Sequence, residues 1–96
     1  MVIHTIEING IGILAFDAEN QSDAEQVSTH PQVSSNMMIY ETKNGPIWNG
    51  RDKIIVREAS PAERRRWQLA HTMRPTRRFI VWLVEVTNQD VRGKAN

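Results

Sequence analysis

A chain of 96 residues with 40% hydrophobic and 24% charged side chains is sized and composed for one globular domain with one modest core. The absence of cysteine removes disulfides, thiolate nucleophiles, Cys-ligated zinc and iron–sulfur clusters in one step. The net charge of +1 conceals a polarity: residues 1–50 hold six acids against Lys43 alone, about −5, whereas residues 51–78 hold nine bases against three acids, about +6.

Residues 2–9, VIHTIEIN, are β-branched and nearly alternating, the pattern of a strand. Asn9-Gly10 tolerates the positive φ of a two-residue reversal, so residues 11–17 are expected to pair back as a second strand, with Gly12 marking a bulge. Ser22-Asp23-Ala24-Glu25 has capping-box form and predicts a short helix to about Thr29. Pro31 suits the first turn of a new helix, predicted to run to Lys43 with Val33, Met37 and Tyr40 on one face and Asn44-Gly45 as its C-cap.

Residues 53–58 read as a third strand. Ser60-Pro61-Ala62-Glu63 places Ser, Pro and Glu at N-cap, N1 and N3, and so predicts a third helix ending near Thr72 or Met73. Ala62, Leu69, Ala70 and Met73 are its expected core face, with Trp67 at the edge. Residues 77–87, RRFIVWLVEVT, are apolar on both faces and predict a fourth strand that is central or lies in a sheet covered on both faces. The fold class is therefore α+β: one domain over residues 1–88 in the order β-β-α-α-β-α-β, a mixed four-stranded sheet with helices packed on it. The unit from third strand to fourth is expected to be a crossover joining parallel strands. Residues 89–96 are expected to form a disordered tail. If helices cover one face only, Trp82 is a candidate contact for a second copy.

Residues 45–51, GPIWNGR, are composed as a turn yet carry Ile47 and Trp48 side by side. Either the pair packs back on the core or Trp48, with Arg51, meets a partner. In the third helix Arg64, Arg65 and Arg66 spread over roughly 200° of surface. With Arg74, Arg77, Arg78 and the aromatic Trp67, Arg64 and Arg65 outline a basic patch for a protein or a nucleic acid, or a solvated face paired with the acidic half. His71, four residues beyond Trp67, is placed to stack on it.

His4, His30 and His71 lack metal-ligand spacing, and no nucleophile elbow, S-x-x-K signature or phosphate loop is present. No cofactor and no metal site is expected. The longest apolar run is six residues, against the roughly twenty a membrane helix needs, and residues 1–5 have no signal-peptide character. The expectation is a cytoplasmic, non-enzymatic module that binds a protein or a second copy of itself. Nucleic-acid binding through the basic patch is the alternative, and a small hydrolase using His71 the remote one.

Overall fold

The computed structural model describes residues 2–43, 45–73, 75 and 79–86. Strand β1 (Val2–Ile8) turns at Asn9-Gly10 into β2 (Ile11–Ala18). Both turn residues have positive φ, 53° and 78°, the conformation a type I′ reversal demands. The register shifts between Ile6 and Glu7, which pair with Leu14 and Gly12, so Ile13 is the extra residue of a bulge beside Gly12.

Helix α1 (Gln21–Thr29) is capped by Asn20, two residues before the expected cap at Ser22. Asn20 Oδ1 accepts from Asp23 N at 2.9 Å, and the Asp23 carboxylate accepts from Glu19 N at 2.9 Å. Asn caps as well as Ser, and the Asn20/Asp23 pair repeats the spacing of the expected box two residues upstream, with Asp23 reaching back to the residue before the cap. Helix α2 (Pro31–Ile39) has its proline at the start and is capped by His30 Nδ1, which accepts from Gln32 N at 3.1 Å.

α2 ends at Ile39, four residues short of the predicted Lys43. Tyr40 leaves the helix with extended ψ and packs its ring edge-on to Trp82, with centroids 5.9 Å apart. Its burial in the core outweighs another helical turn, and β3 (Glu41–Thr42) then pairs with β4 (Gly45–Pro46) in a small hairpin. The expected C-cap residue Asn44 lies outside the described residues.

Strand β5 (Ile54–Glu58), α3 (Pro61–Met73) and β6 (Ile80–Trp82) complete the chain order. The class and the order of the main elements are those read from the sequence; β3 and β4 are additions. The sheet order is β5-β1-β2-β6, and every neighbouring pair is antiparallel. The expected parallel pairing of the third and fourth main strands does not form. The β1–β2 hairpin occupies the centre, and α3 carries the chain from one outer edge to the other. β6 is consequently an edge strand rather than a central one. Residues 77, 78 and 87 of the predicted strand, and the predicted tail at 89–96, lie outside the described residues.

Helices cover both faces of the sheet. On one, Ile6, Leu14 and Phe16 pack with Ala24 of α1 and Val33 and Met37 of α2. On the other, Ile3 and Ala15 pack with Trp67 of α3, joined by Phe79, Val81 and Leu83. This explains the doubly apolar last strand: Trp82 and Val84 face the first core, Val81 and Leu83 the second. Trp82 is half-buried there, so the open face that would have offered it to a second copy does not exist.

Side chains screen both sheet edges: Gln21 Nε2 donates to Val56 O at 3.0 Å on β5, and Arg66 Nη1 and Nη2 donate to Leu83 O at 2.9 Å and Trp82 O at 3.4 Å beside β6. Such contacts remove carbonyls that another chain's strand would otherwise use. No helix among the described residues is long and apolar enough to cross a membrane.

Candidate functional site

The surface of interest is the outer face of α3, and its position is set by the helix's first turn. Glu63 Oε1 accepts from Ser60 N at 2.8 Å while Ser60 Oγ accepts from Glu63 N at 3.2 Å, completing the capping box. The same carboxylate accepts from Thr5 Oγ1 at 3.0 Å and takes a two-pronged grip from Arg57, at 2.7 Å to Oε1 and 3.0 Å to Oε2. Arg57 Nε also donates to Glu7 at 2.7 Å. Glu7 of the acidic half thus meets Arg57 of the basic half across β1 and β5, and Glu63 joins α3 to both strands through Arg57 and Thr5. Gly12 leaves room for this cluster, because a Cβ there would run into Glu63 Oε2.

The Arg57 hydrogen bond, helped by the Ser60 N–H and the Thr5 hydroxyl and opposed by burial, lowers the Glu63 pKa to about 2 from an ordinary 4.5. Glu63, and then Glu7, raise Arg57 further above its already high ordinary value. A carboxylate depressed on folding contributes stability above its unfolded pKa and loses it as pH falls through the folded one. The expected result is a loss on the order of 2–3 kcal/mol between pH about 4.5 and about 2, discounted for partial exposure. Urea unfolding across that range checks it: Glu63→Gln should flatten this part of the profile, and an unchanged slope in the variant would remove Glu63 as its source.

With Glu63 fixed inward, the inner stripe of α3 is Glu63, Trp67, Ala70 and His71, and the sequence expectation for this helix reverses. Trp67 is 3% exposed, whereas Leu69 is 62% and Met73 82% exposed, and Ala62 is also outside. Trp67 Nε1 donates to Phe79 O at 2.7 Å, and its ring stacks on His71 at 4.5 Å, as their spacing anticipated, and meets Phe79 edge-on. An indole fills the space over Ala15 better than Leu69 would, and its N–H finds a carbonyl, so it wins the inward position. At about 100° per residue, Leu69 then lies roughly 200° away, toward solvent.

The outer face accordingly carries Ala62, Leu69 and Met73 in one strip. Arg65 flanks it on one side and Arg66 on the other; Arg64 lies further around. Arg66 is held by its bonds to the carbonyls beside β6. Arg64 and Arg65 are exposed and make no ion pair among the described residues. Of the residues expected to contact a partner, Arg65 borders the strip, whereas Arg64, about 200° from Ala62 on the helix, is exposed on the opposite flank. Trp67 belongs to the core. Arg74, Arg77 and Arg78 lie outside the described residues. Leu69 and Met73 are the surface residues the sequence reading missed; the signal was their opposition to Trp67 on the helical wheel.

The loop after β4 packs inward. Ile47 is buried, and Trp48 is half-buried against the larger core with Nε1 donating to Asp52 O at 2.8 Å. Arg51 is exposed on the same loop, away from α3, where Asn49 Oδ1 accepts from its backbone N–H. His4 is buried against Phe16 and His30 caps α2, so neither approaches His71 on α3. Among the described residues no three of His, Cys, Asp or Glu are grouped to hold a metal ion. Comparison with protein-family models, curated proteins and solved structures returns no match to this chain.

Proposed function

We propose that the chain is a protein-interaction module, that its contact surface is the outer face of α3, and that its partner is an acidic amphipathic helix. The observation that carries the reading is the exposure of Leu69 and Met73 on a helix whose opposite face is already committed to the core. Leaving two large apolar side chains in water forgoes burial worth about 1.5–3 kcal/mol each, which a partner recovers. Ala62, Arg66, Leu69 and Met73 repeat at four, three and four residues, the seam spacing by which one helix receives another. Thirteen residues make a helix about 20 Å long, enough for three turns of a partner. The partner's sign follows from Arg65, which borders the strip, is exposed and makes no ion pair among the described residues.

The α1 surface of a second copy is a poor complement. This acidic helix presents Gln21, Ser22, Glu25, Gln26 and Thr29 to solvent, with no apolar side chain among them. The nucleic-acid alternative keeps Arg64 and Arg65 but loses its stacking platform with the burial of Trp67.

Fluorescence anisotropy with labelled amphipathic helical peptides tests the proposal, comparing a leucine seam flanked by glutamate with the same seam flanked by lysine. The glutamate peptide should bind and the lysine peptide should not. The double variant Leu69→Asp/Met73→Asp should weaken binding at least tenfold with its urea midpoint within error of the parent, since both side chains are already solvated. Equal binding of both peptides, or tighter binding of a mixed-sequence RNA than of either, would overturn the reading.

A further inference from the structure

At the end of the sheet remote from the capping box of α3, the turn end of the β1–β2 hairpin, the β3–β4 hairpin and the segment after β6 enclose a cleft of about 460 Å³. Its walls are Ile8, Ile11 and Ile13 from the first hairpin, Ile47 after β4 and Val84 after β6. The bulge that places Ile13 opens the hairpin here, a common device beside binding sites. The volume falls within the roughly 300–1,000 Å³ of small-ligand sites, and the lining has their pattern of apolar walls with few polar groups.

Two of those polar groups are Lys43, between β3 and β4, and Glu85, after Val84. They have opposite signs, and neither forms an ion pair among the described residues. A purely anionic ligand would meet Glu85 and a purely cationic one Lys43; a molecule carrying both charges satisfies both. We infer that this cleft binds a small zwitterion with an apolar body, of the class of an aliphatic or aromatic amino acid or a dipeptide of such residues. The apolar body lies against the isoleucines, the carboxylate faces Lys43 and the ammonium faces Glu85. The site uses no residue of the α3 surface and stands independently of it.

The test is a titration of the ¹⁵N-labelled full chain followed by NMR, with phenylalanine, leucine and the leucyl-phenylalanine dipeptide as probes. N-acetylphenylalanine and phenylalanine amide, each lacking one charge, are the controls. At least one zwitterion should move the amide signals of Ile8, Ile11, Ile13, Ile47 and Val84 in a saturable manner, and each blocked form should bind at least tenfold more weakly. Lys43→Glu and Glu85→Lys, both at exposed positions, should each weaken the zwitterion at least tenfold, while Leu69→Asp/Met73→Asp should leave it unchanged. Absence of shifts with every zwitterion, equal binding by the blocked forms, or indifference to both charge reversals would each overturn the inference.

Discussion

Trp67→Ala is expected to cost about 3–5 kcal/mol of folding stability, the range for truncating a fully buried aromatic side chain. Trp67 is 3% exposed and joins α3 to β6 by its hydrogen bond to Phe79 O. Phe79 is held from the other side by Asp17 Oδ1, which accepts from its backbone N–H at 2.6 Å. Alanine removes the ring that spans Ala15, His71 and Phe79 and leaves a half-buried carbonyl without its donor. A domain of this size has on the order of 5–15 kcal/mol in total, so the variant should lie near the edge of folding. Trp67→Phe separates the contributions: it keeps most of the apolar area, loses the hydrogen bond and should cost about 1–2 kcal/mol. Urea unfolding followed by circular dichroism reads both. A loss below 1 kcal/mol in Trp67→Ala would mean that α3 is not held by this residue.

The second large effect belongs to Glu63. Glu63→Ala is expected to cost about 2–3 kcal/mol, because it removes a charged acceptor that several partly buried donors share. Arg57 would keep Glu7, but the Thr5 hydroxyl, which is fully buried, and the Ser60 N–H would both lose their acceptor. Glu63→Gln should cost less, since an amide oxygen can still accept from Thr5 and Ser60. Gly12→Ala probes the same cluster from β2: its methyl would run into Glu63 Oε2 while meeting Leu83 and Thr5 at ordinary contact, and overpacking of this kind costs about 1–3 kcal/mol. In the Glu63→Ala background that clash is relieved. The two substitutions should therefore be less than additive by about 1 kcal/mol or more in a double-mutant cycle. Strict additivity would show that Gly12 and Glu63 do not share one space.

Both effects bear on the proposed interaction. The outer face of α3 can serve as a fixed platform because Trp67 and Glu63 determine which way the helix is turned. A substitution on the inner stripe should lower binding by unfolding the domain, whereas Leu69→Asp/Met73→Asp should lower it in a folded protein. The contrast separates a damaged surface from a lost fold.

Several elements were legible in the sequence because their causes are local. The Asn9-Gly10 turn, the proline start of α2 and the Ser60/Glu63 capping box each depend on residues within about four positions of one another. The inward packing of the Ile47-Trp48 loop was one of two readings, and the stacking of His71 on Trp67 followed from helical spacing. The start of α1 was misplaced for a local reason as well: Asn20 and Asp23 form the same cap as the Ser22 pattern, and nothing in the spacing ranks one above the other.

What only the tertiary structure decided involves competition between distant groups. The last strand is apolar on both sides in any central position and also in an edge position under two layers of helices; its place beside β2 came from Phe16, Ala15 and Leu14 as partners. The antiparallel direction followed, because α3 spans the sheet instead of returning to the neighbour of β5. The outer face of α3, where the candidate site lies, was settled by two long-range contacts, Glu63 with Arg57 and Thr5, and Trp67 with Phe79. Hydrophobicity alone places Leu69 and Met73 inside. The geometry of one indole and one carboxylate, each finding partners on other strands, turns them out.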